Sequence, residues 1–487
     1  MQTVSIKRNY FYNTIMSVVN IVYPFVAFSY ISRILGPQML GKVNVAISLA
    51  AYFALFACVG IPIYGTRELA RVRDDKKELS KMFSEIFAIN CITTVFAFFI
   101  YCLVCLQGHF RADFVLFFIA GIPILFNMFS IDWLFQAVEN YKYLSIRNTI
   151  VKVLSLGLLL LLIHKPSDYL AYAAVGVVSV LGANIVTFIG LKRYVTLSFK
   201  DLSIAKHIPS LLILSGWVLS ASAYVNLDSV LVGLLSGETS VGLYSAAMKI
   251  NKIFLPVVTS LGIVLVPRIS YYLKNNMTND YNAVAQKSIR FILLSAFPLM
   301  VFIFLYAPQI IRLISGEMYF AAVPSIRILA PIIFFIGCSN FLGVQILFPN
   351  GKEKALFLSS VIAAAVSLAL NVVLIPRFHQ NGAAIANVAA ECTIFIIQMY
   401  LVRKYISFSM VNKNHALYLL CSIVAGAVSF FVTLSINGPV MVLLLLKAIV
   451  FIIVYLGVLF AIKDSLVIEI RTTVHRRLTF YANPSLR

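Results

Sequence analysis

The sequence predicts an all-α polytopic membrane protein of about 14 transmembrane helices: two parallel six-helix repeats around a central cavity, plus two C-terminal helices. Three observations lead there. Of 487 residues, 61% are hydrophobic and 12% charged, with a mean hydropathy of +0.94, where a soluble domain carries about 25% charge. Apolar runs long enough to cross a bilayer recur along the chain, and its two halves resemble each other. Such a composition excludes a soluble enzyme, a disulfide scaffold and a disordered protein.

A crossing helix needs about 20 apolar residues. Fourteen such spans fall at roughly 10–34, 43–65, 84–106, 113–136, 147–164, 168–191, 209–235, 240–266, 288–307, 323–348, 355–375, 381–402, 415–435 and 439–461. Lys7 and Arg8 precede the first run, which is too long for a signal h-region, so an uncleaved span is expected. An even number places both termini on one side. Basic residues identify that side: 29 Lys and Arg lie there, against seven opposite and three within spans. Both termini, and the basic tail Lys463–Arg487, are therefore expected in the cytoplasm. The same bias explains the net charge of +21 without nucleic acid. The seven cysteines sit in apolar runs and read as small hydrophobes. No disulfide, metal or cofactor is expected. The longest outer loop, Ala307–Pro324, carries no catalytic arrangement, which argues against an enzyme such as a polymerase or ligase.

A shift of 201 residues aligns Gly36 with Gly237, Gly41 with Gly242, Ala46 with Ala247 and Arg67 with Arg268. Further on, a shift of 210 aligns Asn140 with Asn350, Lys142 with Lys352, Pro166 with Pro376 and Arg193 with Arg403. The domain division follows: a six-helix bundle over 1–206, a second over 207–405, two added helices over 406–462 and a tail over 463–487. Six is even, so the repeats are parallel, with a substrate site expected between them.

Ionisable residues inside spans are costly and face a cavity or a partner. Lys249 and Lys252 share one face of span 8. Asp228 of span 7 is a possible mate for Lys249. Glu391 of span 12 is a candidate mate for Lys252 or a coupling carboxylate, and Lys447 either snorkels or lines a path. Arg67 and Arg268 occupy matching cytoplasmic ends of spans 2 and 8, and Arg33 lies near the outer end of span 1. Each either anchors topology or contributes to a cationic route, for which arginine's two-pronged fork suits phosphate. Prolines 24, 62, 123, 256 and 298 interrupt spans, and Gly60 and Gly65 flank Pro62 as a candidate hinge. Gly36 to Lys42 imitates the start of a P-loop. Val43 replaces the magnesium-binding hydroxyl, no strand precedes it, and it falls in an expected outer loop, so nucleotide binding is rejected.

With these residues in view, the chain resembles the polysaccharide-transporter branch of the multidrug/oligosaccharidyl-lipid/polysaccharide exporter superfamily, and more narrowly Wzx-type flippases of O-antigen or capsule repeat units. The resemblance is carried by Ser32 to Pro37 with Gly41, Gly65-Thr66-Arg67-Glu68, Asp132-Trp133-Leu134-Phe135-Gln136 with Glu139, Asp228, Val241 to Ala247 with Lys249, Pro267-Arg268, and Pro376 with Gly382 to Ala386 and Glu391. It implies a V-shaped pair of bundles in the bacterial plasma (inner) membrane. The cargo would be a polyprenyl-diphosphate-linked oligosaccharide, moved from the cytoplasmic to the outer leaflet by alternating access. Candidate cargo-binding cations are then Arg33, Arg67, Lys249, Lys252 and Arg268. Asp228 and Glu391 are candidates for charge pairing or for coupling to H+ or Na+. Membrane lipid and a polysaccharide polymerase machinery are the implied partners. Two alternatives stay open: a teichoic-acid or lipid II flippase, and an ion-coupled drug antiporter of the same superfamily.

Overall fold

A computed structural model of the chain describes residues 6–199, 202–406, 413–464, 466–469 and 471–472. The tail expected over 463–487 lies largely outside them. Every regular element described is helical, as a bilayer demands when no water can satisfy the backbone. In chain order the helices are α1 (Ile6–Cys58), α2 (Ile61–Arg71), α3 (Lys76–Cys105), α4 (Gly108–Arg111), α5 (Phe114–Leu125), α6 (Asp132–Ala137), α7 (Tyr141–Leu162), α8 (Tyr169–Gly190), α9 (Ile208–Ser236), α10 (Glu238–Ile253), α11 (Leu255–Lys274), α12 (Thr278–Ser315), α13 (Val323–Leu329), α14 (Ile332–Asn340), α15 (Glu353–Val402), α16 (Lys413–Val432) and α17 (Val440–Ala461).

By length and hydropathy, ten helical segments among the described residues can cross a membrane, or eleven if a pair bent by 43° counts as one. Two of the expected crossings are joined to a neighbour, and the seventh, within α9, counts only as the shorter apolar stretch Leu227–Ser236. Tyr23–Arg71 and Glu353–Val402 have 49 and 50 residues, and each runs through two expected spans. The loop expected at Gly36–Lys42 is absent. Instead α1 leaves helical geometry only at Gly36 (φ 69°, ψ 174°), a conformation that costs glycine little. Likewise α15 breaks only at His379 (φ 51°, ψ −130°). Pro62 lies in the first turn of α2 and Pro256 in that of α11, where a missing N–H costs nothing. Pro24, Pro123 and Pro298 stay inside helices.

The helices form two compact units, Met1–Ser245 with Asn371–Gln380, and Ala246–Leu370 with Asn381–Arg487. In the first, α1 packs on α3, α5, α7 and α9. Gly237, the repeat partner of Gly36, has nearly the same backbone (φ 86°, ψ 171°). A Cβ on Gly41 would collide with the carbonyl of Glu238, and one on Gly242 with the carbonyl of Pro37. Under the 201-residue shift Pro37 corresponds to Glu238 and Gly41 to Gly242. The contact is thus reciprocal, the self-complementary pattern of a two-fold interface, here built from two parts of one chain. His379 joins the same end, its Nδ1 lying 2.8 Å from Ser236 Oγ.

In the second unit α12 packs against α11, α14, α16 and α17. Buried hydroxyls tie these helices: Ser288 donates to Gln345 Oε1 (2.6 Å), Tyr306 to Ser429 Oγ (2.8 Å) and Tyr455 to the Leu294 carbonyl (2.9 Å). Gln345 lies in a π-helical turn, Phe341–Leu347. Lys447 is buried with its ammonium 5.0 Å from the Tyr306 ring centre, so of the two readings this lysine does not snorkel.

Gly41→Ala and Gly242→Ala should each destabilise the protein by about 1–3 kcal/mol, the usual cost of overpacking. The double variant should lose less than the sum, since both residues serve one contact. Gly157→Ala, into open space, is the control. Thermal unfolding in detergent reads all four.

Candidate functional site

Asp228 on α9 is fully buried. Its Oδ2 accepts from Tyr244 Oη at 2.6 Å and its Oδ1 from Asn371 Nδ2 at 2.7 Å. Tyr244 comes from the stretch Val241 to Ala247 on the next helix and Asn371 from α15, 143 positions away, so three helices meet on one carboxylate. Both carboxyl oxygens thus receive a donor, as a polar group buried this deeply requires.

The candidate cations occupy more open positions. Arg33 is exposed. Arg67 is exposed, with Nε 2.8 Å from Glu68 Oε1 and its guanidinium 5.6 Å from the Tyr64 ring centre. Arg268, at the matching position, is also exposed; its Nε donates to Tyr272 Oη at 2.8 Å. Lys249 is half-buried and Lys252 exposed. They lie one turn apart on α10, whose sole acid is Glu238 at the far end. Glu391 is buried on α15. The structure gathers Asp228 with Tyr244 and Asn371, keeps Lys249 and Lys252 on one helical face, and holds Arg67 on its neighbours Glu68 and Tyr64.

Two motif stretches also meet. Gly65 packs against Trp133 so closely that a Cβ would reach the indole at 2.5 Å. Trp133 in turn stacks on Phe83, ring centres 4.9 Å apart. Gly65-Thr66-Arg67-Glu68 and Asp132 to Gln136 therefore form one packed corner, with α2 against α6.

Sequence reasoning passed over two polar centres. Arg147 on α7 is buried and grips Asp132 with both arms, at 2.6 and 2.8 Å, with Thr187 and Asn148 also accepting from it. Glu85 on α3 is fully buried. Its carboxylate lies 2.9 Å from His207 Nε2 and 2.7 Å from Lys206 Nζ, and accepts from the Ser203 N–H at 3.0 Å. Tyr64 Oη lies 2.7 Å from His207 Nδ1. This chain pins the segment before α9 to α2 and α3. A charged residue at the edge of span 3 was the available signal. Nothing in sequence pointed to His207, 122 positions away. Among the described residues, no group of three or more His, Cys, Asp and Glu could hold a metal.

Residues 6–273 match the family described as "Polysaccharide biosynthesis protein", and residues 216–373 match the MatE family. A protein of Escherichia coli K12 named "Putative O-antigen transporter" is 25% identical over 407 residues, 82% of this chain and 97% of that protein. A protein of the same name from Shigella dysenteriae is 21% identical, over 82% and 100%. Among solved structures, the lipid II flippase MurJ in an inward closed conformation aligns with a TM-score of 0.70 at 14% identity, covering 93% of this chain and 99% of that one. An inward-facing MATE-family multidrug transporter aligns with a TM-score of 0.63 at 14% identity, covering 78% and 93%. At such identity these structures speak for the fold.

Glu85→Gln should cost about 3–5 kcal/mol by breaking a buried charge network. Tyr64→Phe should cost about 1 kcal/mol, one neutral hydrogen bond. Thermal unfolding of the purified variants checks both. Equal losses would mean that Glu85 is not held as a charge.

Proposed function

The chain belongs to the polysaccharide biosynthesis protein family, and from that premise we propose that it is a flippase for a polyprenyl-diphosphate-linked oligosaccharide. It moves the repeat unit from the cytoplasmic to the outer leaflet of the bacterial plasma membrane, with both termini cytoplasmic, for O-antigen or capsule assembly. It is a transporter and catalyses no bond change. The observation that carries this reading is the pair Lys249 and Lys252, two cations on one face of a membrane helix. Two ammonium groups at membrane depth suit an anionic cargo such as a diphosphate. The two relatives named for O-antigen transport, matched over nearly their whole lengths, support it.

In this reading the six-helix repeats, 1–206 and 207–405, rock against each other. The reciprocal contact of Gly41 and Gly242 is the outer seal. Opening it costs mainly dispersion contacts, which are individually weak. Arg33, Arg67 and Arg268 guide the anionic headgroup to Lys249 and Lys252. Asp228 is the coupling carboxylate for H+ or Na+, with Tyr244 and Asn371 setting its ionisation, and Glu391 is a second acid in the same cycle. The helices over 406–462 give further surface to the lipid, and a polymerase machinery receives the product.

One observation favours a second reading, an ion-coupled drug antiporter: the MatE match spans Asp228, Lys249 and Asn371. Proteoliposomes separate the two. A fluorescent undecaprenyl-diphosphate oligosaccharide, read by outer-leaflet quenching, should flip with wild type. It should slow at least about tenfold with Lys252→Ala, the loss of one charge-assisted contact. Asp228→Asn should abolish the response to an imposed H+ or Na+ gradient. Unchanged flipping in a folded Lys252→Ala protein would remove that lysine from the cargo path. No flipping under any gradient, with uptake of a cationic drug instead, would establish the antiporter.

A further inference from the structure

Proline 308 lacks an N–H, so the carbonyl four residues earlier, on Phe304, has no helical donor. The backbone of α12 departs from helical geometry at Tyr306 (φ −101°, ψ 17°). Arg327 on α13 fills the vacancy: its Nε donates to the Phe304 carbonyl at 3.2 Å. Its guanidinium also lies 5.7 Å from the centre of the Phe304 ring. The residue is exposed, and among the described residues its two Nη groups make no hydrogen bond. Carbonyl and ring together fix the guanidinium and leave its free edge available.

That edge stands at a groove of about 490 Å³ between α12, α13 and α16. Phe304, Leu305, Ile423, Ala427 and Phe430 line it, and Arg327 is the one charged residue in its wall. Gly426 lets α16 lie against α12, where a Cβ would meet Leu305 at 2.6 Å. The groove is thus a built feature of the second unit, apolar along its length and cationic at one point.

We infer that this groove is a binding site for one anionic glycerophospholipid, with Arg327 on the phosphate and an acyl chain along α12 and α16. Arginine's planar fork pairs with phosphate through two parallel hydrogen bonds. The single positive charge matches a phosphodiester with one negative charge. The volume falls in the lower part of the range of ligand pockets, about 300–1,000 Å³, room for an acyl chain but not for a long polyprenyl tail. Arg327 belongs to the side opposite the basic loops, so the lipid comes from the outer leaflet. That placement alone rests on the orientation proposed above; the site does not.

Native mass spectrometry of the full-length protein in a neutral detergent tests the inference, with phosphatidylglycerol and phosphatidylcholine of identical acyl chains as probes. Wild type should retain one phosphatidylglycerol about fivefold more than phosphatidylcholine, the preference expected from one favourable charge near a membrane surface. Arg327→Gln should erase the preference and Arg327→Lys should keep part of it. Ala427→Trp, at an exposed position in the groove wall, should reduce retention of both lipids without touching Arg327, and it decides the matter if the Arg327 variants do not fold. Equal retention of the two lipids by wild type would overturn the site. So would a preference that survives in Arg327→Gln, unchanged retention in Ala427→Trp, or Arg327-dependent displacement of phosphatidylglycerol by undecaprenyl-diphosphate oligosaccharide, which would assign the groove to cargo. The retention step involves no transport, so failure of the flippase reading leaves its outcome unaffected.

Discussion

The close approach of two backbones at Gly41 and Gly242 is the constraint on which the first unit depends. Each glycine meets a carbonyl at the equivalent place in the other repeat, Glu238 and Pro37. In a bilayer, helices gain little from excluding lipid, so association relies on close packing and on small residues at the crossing. The breaks at Gly36 and Gly237 share one backbone conformation, which lets both helices arrive at the crossing in matching register. His379, bonded to Ser236, adds the break of α15 to that end.

Away from this crossing, the interior is organised by polar groups that water cannot reach. Asp228 has Tyr244 and Asn371, Glu85 has His207, Lys206 and a backbone amide, and Arg147 has Asp132. Each ties one helix to another, and each is costly to leave half-satisfied. Such groups specify which helices pair, a task that uniformly apolar surfaces perform poorly. Lys447 follows the same logic with a ring in place of an acid.

Much of this was legible in sequence. Apolar runs gave the crossings, and the repeated glycines aligned the positions that the structure brings into contact. The shortness of some connections was not legible: hydropathy cannot tell a loop at Gly36–Lys42 from a helix that breaks at one residue. Of the polar centres, Asp228 could be found because it sits well inside an apolar run. Glu85 and Arg147 lie at span edges, where a charge looks like ordinary anchoring. His207 stands outside the spans, so only folding reveals its pairing with Glu85. For Lys249 and Lys252 the residue spacing indicates membrane depth and a shared helical face, and for Arg33 only a place near the outer end of span 1. Anchoring and anion binding demand the same chemistry there, so depth alone does not assign the role.

The single-residue corners have a consequence for how this molecule meets its surroundings. At Gly36, Gly237 and His379 one helix gives way to the next with almost no backbone left outside the helices. A protease or an antibody that approaches those corners meets little loop to grip or cut.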